Sequence, residues 1–98
     1  MQVIENHNLG ILEAKKRIVQ FGEKIKKEYS DKINNYSEQW NGNEGIFNIS
    51  IMGQKIEGKI NIAENFVKIE GSVPFMLKFF ESQIENTIRQ SLQEVLKD

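Results

Sequence analysis

Phe47-Asn48-Ile49-Ser50-Ile51-Met52-Gly53-Gln54-Lys55-Ile56-Glu57-Gly58-Lys59-Ile60-Asn61-Ile62-Ala63-Glu64-Asn65-Phe66-Val67-Lys68-Ile69-Glu70 decides the fold. Phe47, Ile49 and Ile51 alternate with Asn48 and Ser50. Past Met52-Gly53, the residues Ile56, Gly58, Ile60 and Ile62 alternate with Glu57, Lys59 and Asn61. Past Ala63-Glu64-Asn65, Val67 and Ile69 alternate with Lys68 and Glu70. A period of two places one class of side chain on each face of a pleated strand. Three such runs joined by short turns predict antiparallel strands with one wet face. Upstream, residues 33–40 read as a fourth strand, a polar one, which turns through Asn41-Gly42-Asn43-Glu44-Gly45, a turn of the Asn-Gly kind.

On either side the period changes. Ile11, Ala14, Ile18, Gly22, Ile25 and Tyr29 fall on one helical face, with Glu13, Lys16, Gln20, Glu23, Lys24 and Lys27 opposite. Gly10 stands at the cap, with Glu13 three residues on. Gly22 costs helix propensity in the middle of the apolar face, so its expected use is close approach to another element. Gly22 and Ser91 are the small residues of their helices' apolar faces, and the two helices are expected to meet near one of them. A last helix opens at Ser72-Val73-Pro74 and turns Leu77, Phe80, Ile84, Ile88, Ser91, Leu92 and Val95 to the core. Residues 2–7 form a short extended piece. It can pair antiparallel with the fifth strand or parallel with the second, and the antiparallel option is preferred. The expectation is a single α+β domain over residues 1–98, β-α-β-β-β-β-α, an antiparallel twisted sheet with both helices on one face. Ile18, Ile25, Ile49, Ile60, Ile69, Ile84 and Ile88 are expected in one core.

Composition narrows the function classes. Thirteen basic against fourteen acidic residues leave a net charge of -1, which removes the electrostatic case for nucleic acid. The absence of cysteine excludes disulfides, thiolate zinc sites and thiol nucleophiles. The start Met1-Gln2-Val3-Ile4-Glu5-Asn6 lacks the basic and apolar regions of a signal peptide, and no run approaches the roughly 20 apolar residues of a membrane span. A cytoplasmic location is expected.

Motifs that resemble chemistry fail on inspection. Gly53-Gln54-Lys55-Ile56-Glu57-Gly58-Lys59-Ile60 nearly spells a phosphate-binding loop, but Ile60 cannot hold a metal and the stretch alternates like a strand. His7 is the single histidine. With no nucleophile elbow and too few ligand types for zinc, it reads as a strand-end residue whose loss leaves folding intact. No catalytic residue, metal site or cofactor is expected. Asn35-Tyr36-Ser37 and Asn48-Ile49-Ser50 match the glycosylation pattern, which a chain without a secretory signal does not use. The basic first helix reads as a solvated face with Glu13–Arg17 and Glu23–Lys27 pairs, against attraction to an acidic surface.

Two aromatic features remain. With Leu77 centred on the buried side, Phe75 and Phe79 land about 160° away at 100° per residue. Apolar turns are usually buried, so enclosure by loops or the first helix is the first expectation. The alternative is an exposed patch of Phe75, Met76 and Phe79 that meets a partner, a second copy or an apolar surface. Trp40 reads as packing under its turn rather than as a ligand stack, although it stays a candidate binding residue with Phe75, Met76 and Phe79.

The pattern as a whole resembles the polyhydroxyalkanoic acid system proteins, small bacterial proteins encoded beside genes for making or using polyester storage granules. The resemblance rests on His7-Asn8-Leu9-Gly10 before Ala14, on Tyr29, and on Trp40-Asn41-Gly42-Asn43 before Phe47, where the family typically shows a Trp-x-Gly-Asp turn. It continues through Gly53, Ile56-Glu57-Gly58-Lys59-Ile60 and Val67-Lys68-Ile69, then Leu77, Ile84-Glu85, Ile88, Leu92 and Leu96. It implies a polyester-metabolism or granule-associated setting and supplies no catalytic residues. Two non-enzymatic functions follow: an accessory protein that binds a granule surface or granule protein, alone or as a homodimer, and a carrier or sensor of a small apolar ligand, such as a hydroxyacyl chain, held between sheet and last helix. A cavity near Trp40 and Phe75 favours the carrier; a filled core with an exposed aromatic patch favours the surface binder.

Overall fold

The computed structural model describes residues 1–98. The chain runs β1 (Gln2–Asn6), α1 (Ile11–Glu28), β2 (Ile33–Asn41), β3 (Glu44–Ile51), β4 (Gln54–Ile62), β5 (Phe66–Ser72), a 3-10 helix (Phe75–Phe80) and α2 (Glu81–Val95). The five strands form one antiparallel sheet in the order β1-β5-β4-β3-β2. β1 takes the antiparallel place beside β5, as preferred from the sequence, with Val3 opposite Ile69. The turn after β3 uses two residues at positive φ, Met52 at 53° and Gly53 at 77°. Such turns match the twist of the flanking strands, so the near phosphate-loop is a hairpin.

β2 is an edge strand with an irregularity. Its pairing with β3 shifts between Asn34 and Ser37, and Asn35 sits at φ 55°. A bulge inserts one residue and reverses the in-out parity. Tyr36, Glu38 and Trp40 therefore face the helices from the even positions, whereas Ile33 pairs with Ile51 from the odd ones. That accounts for the polar reading of this strand. It also spoils the edge as a template for a further strand.

The main buried cluster lies toward one end of the domain. Val3, Ala14, Ile18, Ile60, Ile62, Val67, Leu92 and Leu96 form it, where β1 and β5 meet the first half of α1 and the last turns of α2. Arg17 ties the helices there, bonded to Glu13 at 3.0 Å and donating to the carbonyls of Val95 and Lys97 at the end of α2. Cationic donors at a helix C-terminus satisfy its free carbonyls and its dipole. Of the seven isoleucines expected in the core, only Ile18 and Ile60 are buried; Ile25, Ile49, Ile69, Ile84 and Ile88 are half-buried. The sheet face is apolar across β3, β4 and β5, but the helices close over only part of it.

Gly22 does make a close approach, but to the sheet. A Cβ there would lie 3.1 Å from Glu38 Oε1 and 3.2 Å from the Tyr36 hydroxyl, with nothing from α2 within 4 Å. The missing side chain lets α1 cross the polar face of β2. The expected helix-to-helix contact at Gly22 is thereby corrected.

His7 also departs from expectation. It is buried, its Nδ1 accepts from the Leu9 N–H at 3.2 Å, and its Nε2–H donates to the Ala63 carbonyl at 3.1 Å. Its own N–H bonds Asn65 at 2.9 Å, so the residue pins the end of β1 to the β4–β5 turn. The expectation that its loss leaves folding intact overlooks that β1 lies against β5. His7→Ala leaves two part-buried backbone groups without their partners, and is expected to cost about 1 kcal/mol of stability in a urea melt. A wild-type midpoint would restore the strand-end reading.

Candidate functional site

The segment between β5 and α2 is where the helical prediction breaks. Residues 75–80 form a 3-10 helix, and α2 begins only at Glu81. Three residues per turn stack positions i and i+3 on one line. Leu77 and Phe80 therefore share the inward line, and Leu77 is buried while Phe80 is 46% exposed. Phe75, Met76 and Phe79 lie on the other lines and are 87%, 70% and 92% exposed. Phe79 and Phe80 pack edge to face with centroids 5.5 Å apart, which fixes the outward ring without covering it. Lys78, paired with Glu81 at 3.7 Å, is the one charge inside the turn. The enclosure expected for this turn does not occur; the exposed-patch alternative is what the fold presents.

Trp40 is elsewhere. It sits on β2, three strands away from β5 and at the other end of the strands, paired with Gly45. A Cβ at Gly45 would lie 3.0 Å from the indole, so the ring lies flat on that glycine. Its Nε1–H donates to Glu38 at 3.0 Å, Phe47 meets it edge-on at 5.9 Å, and Lys15 Nζ stands 5.3 Å over its face. The ring is half-buried among these contacts. Trp40 is a packing residue and does not join Phe75, Met76 and Phe79.

The basic face of α1 is largely committed. Lys15 stacks on Trp40 and donates to the Gly42 carbonyl, Arg17 holds α2, and Lys24 pairs with Glu28 at 3.9 Å. Of the two expected pairs Glu13–Arg17 forms, whereas Lys24–Glu28 stands where Glu23–Lys27 was expected.

A second feature was not legible from the sequence. Between the uncovered part of the sheet and the two helices lies an apolar cavity of about 280 Å3. Its floor centres on the cross-strand row Phe47–Gly58–Gly71, with the Ile49–Ile56 and Ile60–Ile69 pairs on either side. The two glycines are neighbours, so no side chain rises from the middle of that row. Only the Glu70 carbonyl comes within 4 Å of a Cβ at Gly58. Over Gly71 the space is partly taken by Met1, whose Cε would lie 2.9 Å from an added Cβ. Phe21, Gly22 and Ile25 of α1 and Thr87, Ile88 and Ser91 of α2 form the roof. The cavity reaches neither Trp40 nor Phe75.

Tyr36 stands at the β2 end of the cavity and donates its hydroxyl to Glu38 at 2.8 Å. Burial, then the bond to Glu38 and the nearby carboxylates of Glu38 and Glu23, push its ionisation well above the ordinary value of 10.0. The neutral form is the one the fold favours. Its contribution to stability is complete below the ordinary value and is lost as pH rises through the raised one. At about pH 11, one unit above the ordinary value, the tyrosinate absorbance of the wild type minus Tyr36→Phe is expected to be small. A difference showing Tyr36 mostly ionised there would mean that the Glu38 contact is not made in solution.

No group of three or more His, Asp or Glu side chains is placed to hold a metal ion, and no helix is long and apolar enough to cross a membrane. A protein-family model described as polyhydroxyalkanoic acid system protein matches residues 1–96. Neither the curated proteins nor the solved structures contain a match.

Proposed function

We propose, from the premise that the chain belongs to the polyhydroxyalkanoic acid system protein family, that it is a non-enzymatic accessory protein that attaches to the polyester granule surface. The observation that carries this reading is the exposed aromatic turn Phe75, Met76 and Phe79 at the head of α2. Folded chains seldom leave two phenylalanines and a methionine on one turn in water without a surface for them to meet. A storage polyester offers an apolar surface on which such a turn can lie flat, and the pairing of Lys78 with Glu81 leaves little local charge to oppose it. The absence of a catalytic role is supported by His7, whose ring nitrogens are both engaged in holding the fold. On this reading the protein is cytoplasmic and granule-bound. The test is co-sedimentation with polyhydroxyalkanoate particles. Binding to isolated granules but not to bare polymer would point to a granule protein instead, and concentration-dependent dimerisation through the same turn would point to self-association.

The cavity over Gly58 and Gly71 favours a second reading, a carrier or sensor of a small apolar ligand held between the sheet and α2.

A further inference from the structure

We propose that the cavity is a site for one unbranched acyl chain of roughly ten carbons; this rests on the carrier reading and narrows it to a ligand class. The argument begins with length. The wall runs from Tyr36 on β2 to Gly71 on β5, three strand steps, or roughly 14 Å at about 4.8 Å per step. At about 1.25 Å of advance per C–C bond of about 1.52 Å, an extended chain of roughly ten to twelve carbons spans that length.

Volume gives the same size independently. A dry apolar cavity of about 150 Å3 accommodates benzene, with six carbons, so the present one holds roughly ten or eleven. Its chemistry fits a hydrocarbon. Phe21, Ile25, Phe47, Ile49, Ile56 and Ile88 face the space from both layers. Of the three hydroxyls on the wall, Tyr36 donates to Glu38 and Thr87 donates back to the Gln83 carbonyl at 2.9 Å. Of these hydroxyls Ser91 alone makes no hydrogen bond within the protein, and Lys59 and Glu70 are the charged residues on the wall. The site is made by what the floor lacks: adjacent glycines on β4 and β5 clear a trough that any larger pair would fill.

The experiment is calorimetric titration of the full chain with straight-chain carboxylates from hexanoate to tetradecanoate, with methyl decanoate and with 2-naphthoate. Affinity is expected to rise about four-fold per added methylene and to level off near ten carbons. Comparing decanoate with methyl decanoate separates a free acid from an esterified acyl chain as the source. Gly58→Val from the floor and Ser91→Phe from the roof are each expected to weaken decanoate binding at least ten-fold. In the wild type, decanoate should shift the methyl resonances of Ile25, Ile49 and Ile88, a measurement that stands even if one variant fails to fold. Affinity that climbs through tetradecanoate without a break, or that survives both substitutions, would overturn the proposal in favour of adsorption outside the cavity. Binding of 2-naphthoate without any carboxylate chain would sink the acyl-chain inference and leave the carrier reading standing. Binding of neither would end both.

Discussion

Replacing Phe75 and Phe79 together by serine is expected to abolish particle binding while the urea midpoint hardly moves. Each phenylalanine transferred from water to an apolar surface contributes about 1.5–3 kcal/mol, so the pair corresponds to roughly two to four orders of magnitude in affinity. In the free protein these side chains are 87% and 92% exposed, and their loss removes little that the fold uses. Surface substitutions of that kind usually stay within about 0.5 kcal/mol. The expected pattern is therefore a stable variant that stays in the supernatant when polyhydroxyalkanoate particles are spun down. Salt supplies a second discriminator. Apolar contact persists at high ionic strength, whereas attraction of the α1 lysines to an anionic coat is screened away. Unchanged sedimentation of the double variant would remove the aromatic turn from the attachment site. A loss of several kcal/mol in folding stability would instead mean that the turn is enclosed in solution.

The fold was legible because its signal is local. Alternation over residues 47–70 and a helical period over 11–29 each show within a dozen residues, and both survive tertiary context. Even the antiparallel placing of β1 follows once β5 is recognised as an edge needing cover. What the sequence hid depends on register or on small changes of helical geometry. Gly58 and Gly71 look like two unrelated weak points of two strands; only the pairing of β4 with β5 sets them side by side and opens the floor of the cavity. Gly22 is visibly exceptional, yet its neighbour proved to be β2 rather than α2, because the bulge at Asn35 turns Tyr36 and Glu38 toward the helix. The aromatic turn was half readable. Helical spacing put Phe75 and Phe79 on the outer side, but the 3-10 geometry that groups Leu77 with Phe80 and strands Phe75, Met76 and Phe79 left no mark beyond Pro74.

The partial closure of the helices over the sheet makes the final prediction a contrast. Leu92 is 1% exposed and packs in the cluster with Val3, Ala14, Ile18 and Val67. Truncating it leaves a void that tightly packed neighbours can only partly fill, so Leu92→Ala is expected to cost about 2–5 kcal/mol. That is a large part of the roughly 5–15 kcal/mol available to a small domain. Ile49, on β3, has a side chain of the same size and lines the cavity as Leu92 does from α2, but it is half-buried. Its truncation widens a space already present and forfeits fewer contacts, so Ile49→Ala is expected to cost about 1 kcal/mol or less, below the range for core isoleucines. Both values come from urea melts with unchanged slopes, which certify that the denatured and native states are otherwise comparable. Excess decanoate should widen the gap between wild type and Ile49→Ala, because a ligand at free concentration L that binds only the native state stabilises it by RT ln(1 + L/Kd), more for the tighter binder. Equal costs at the two positions without ligand would show that the helices close over Phe47, Ile49 and Ile56 in solution, and that no open trough exists there for a chain to enter.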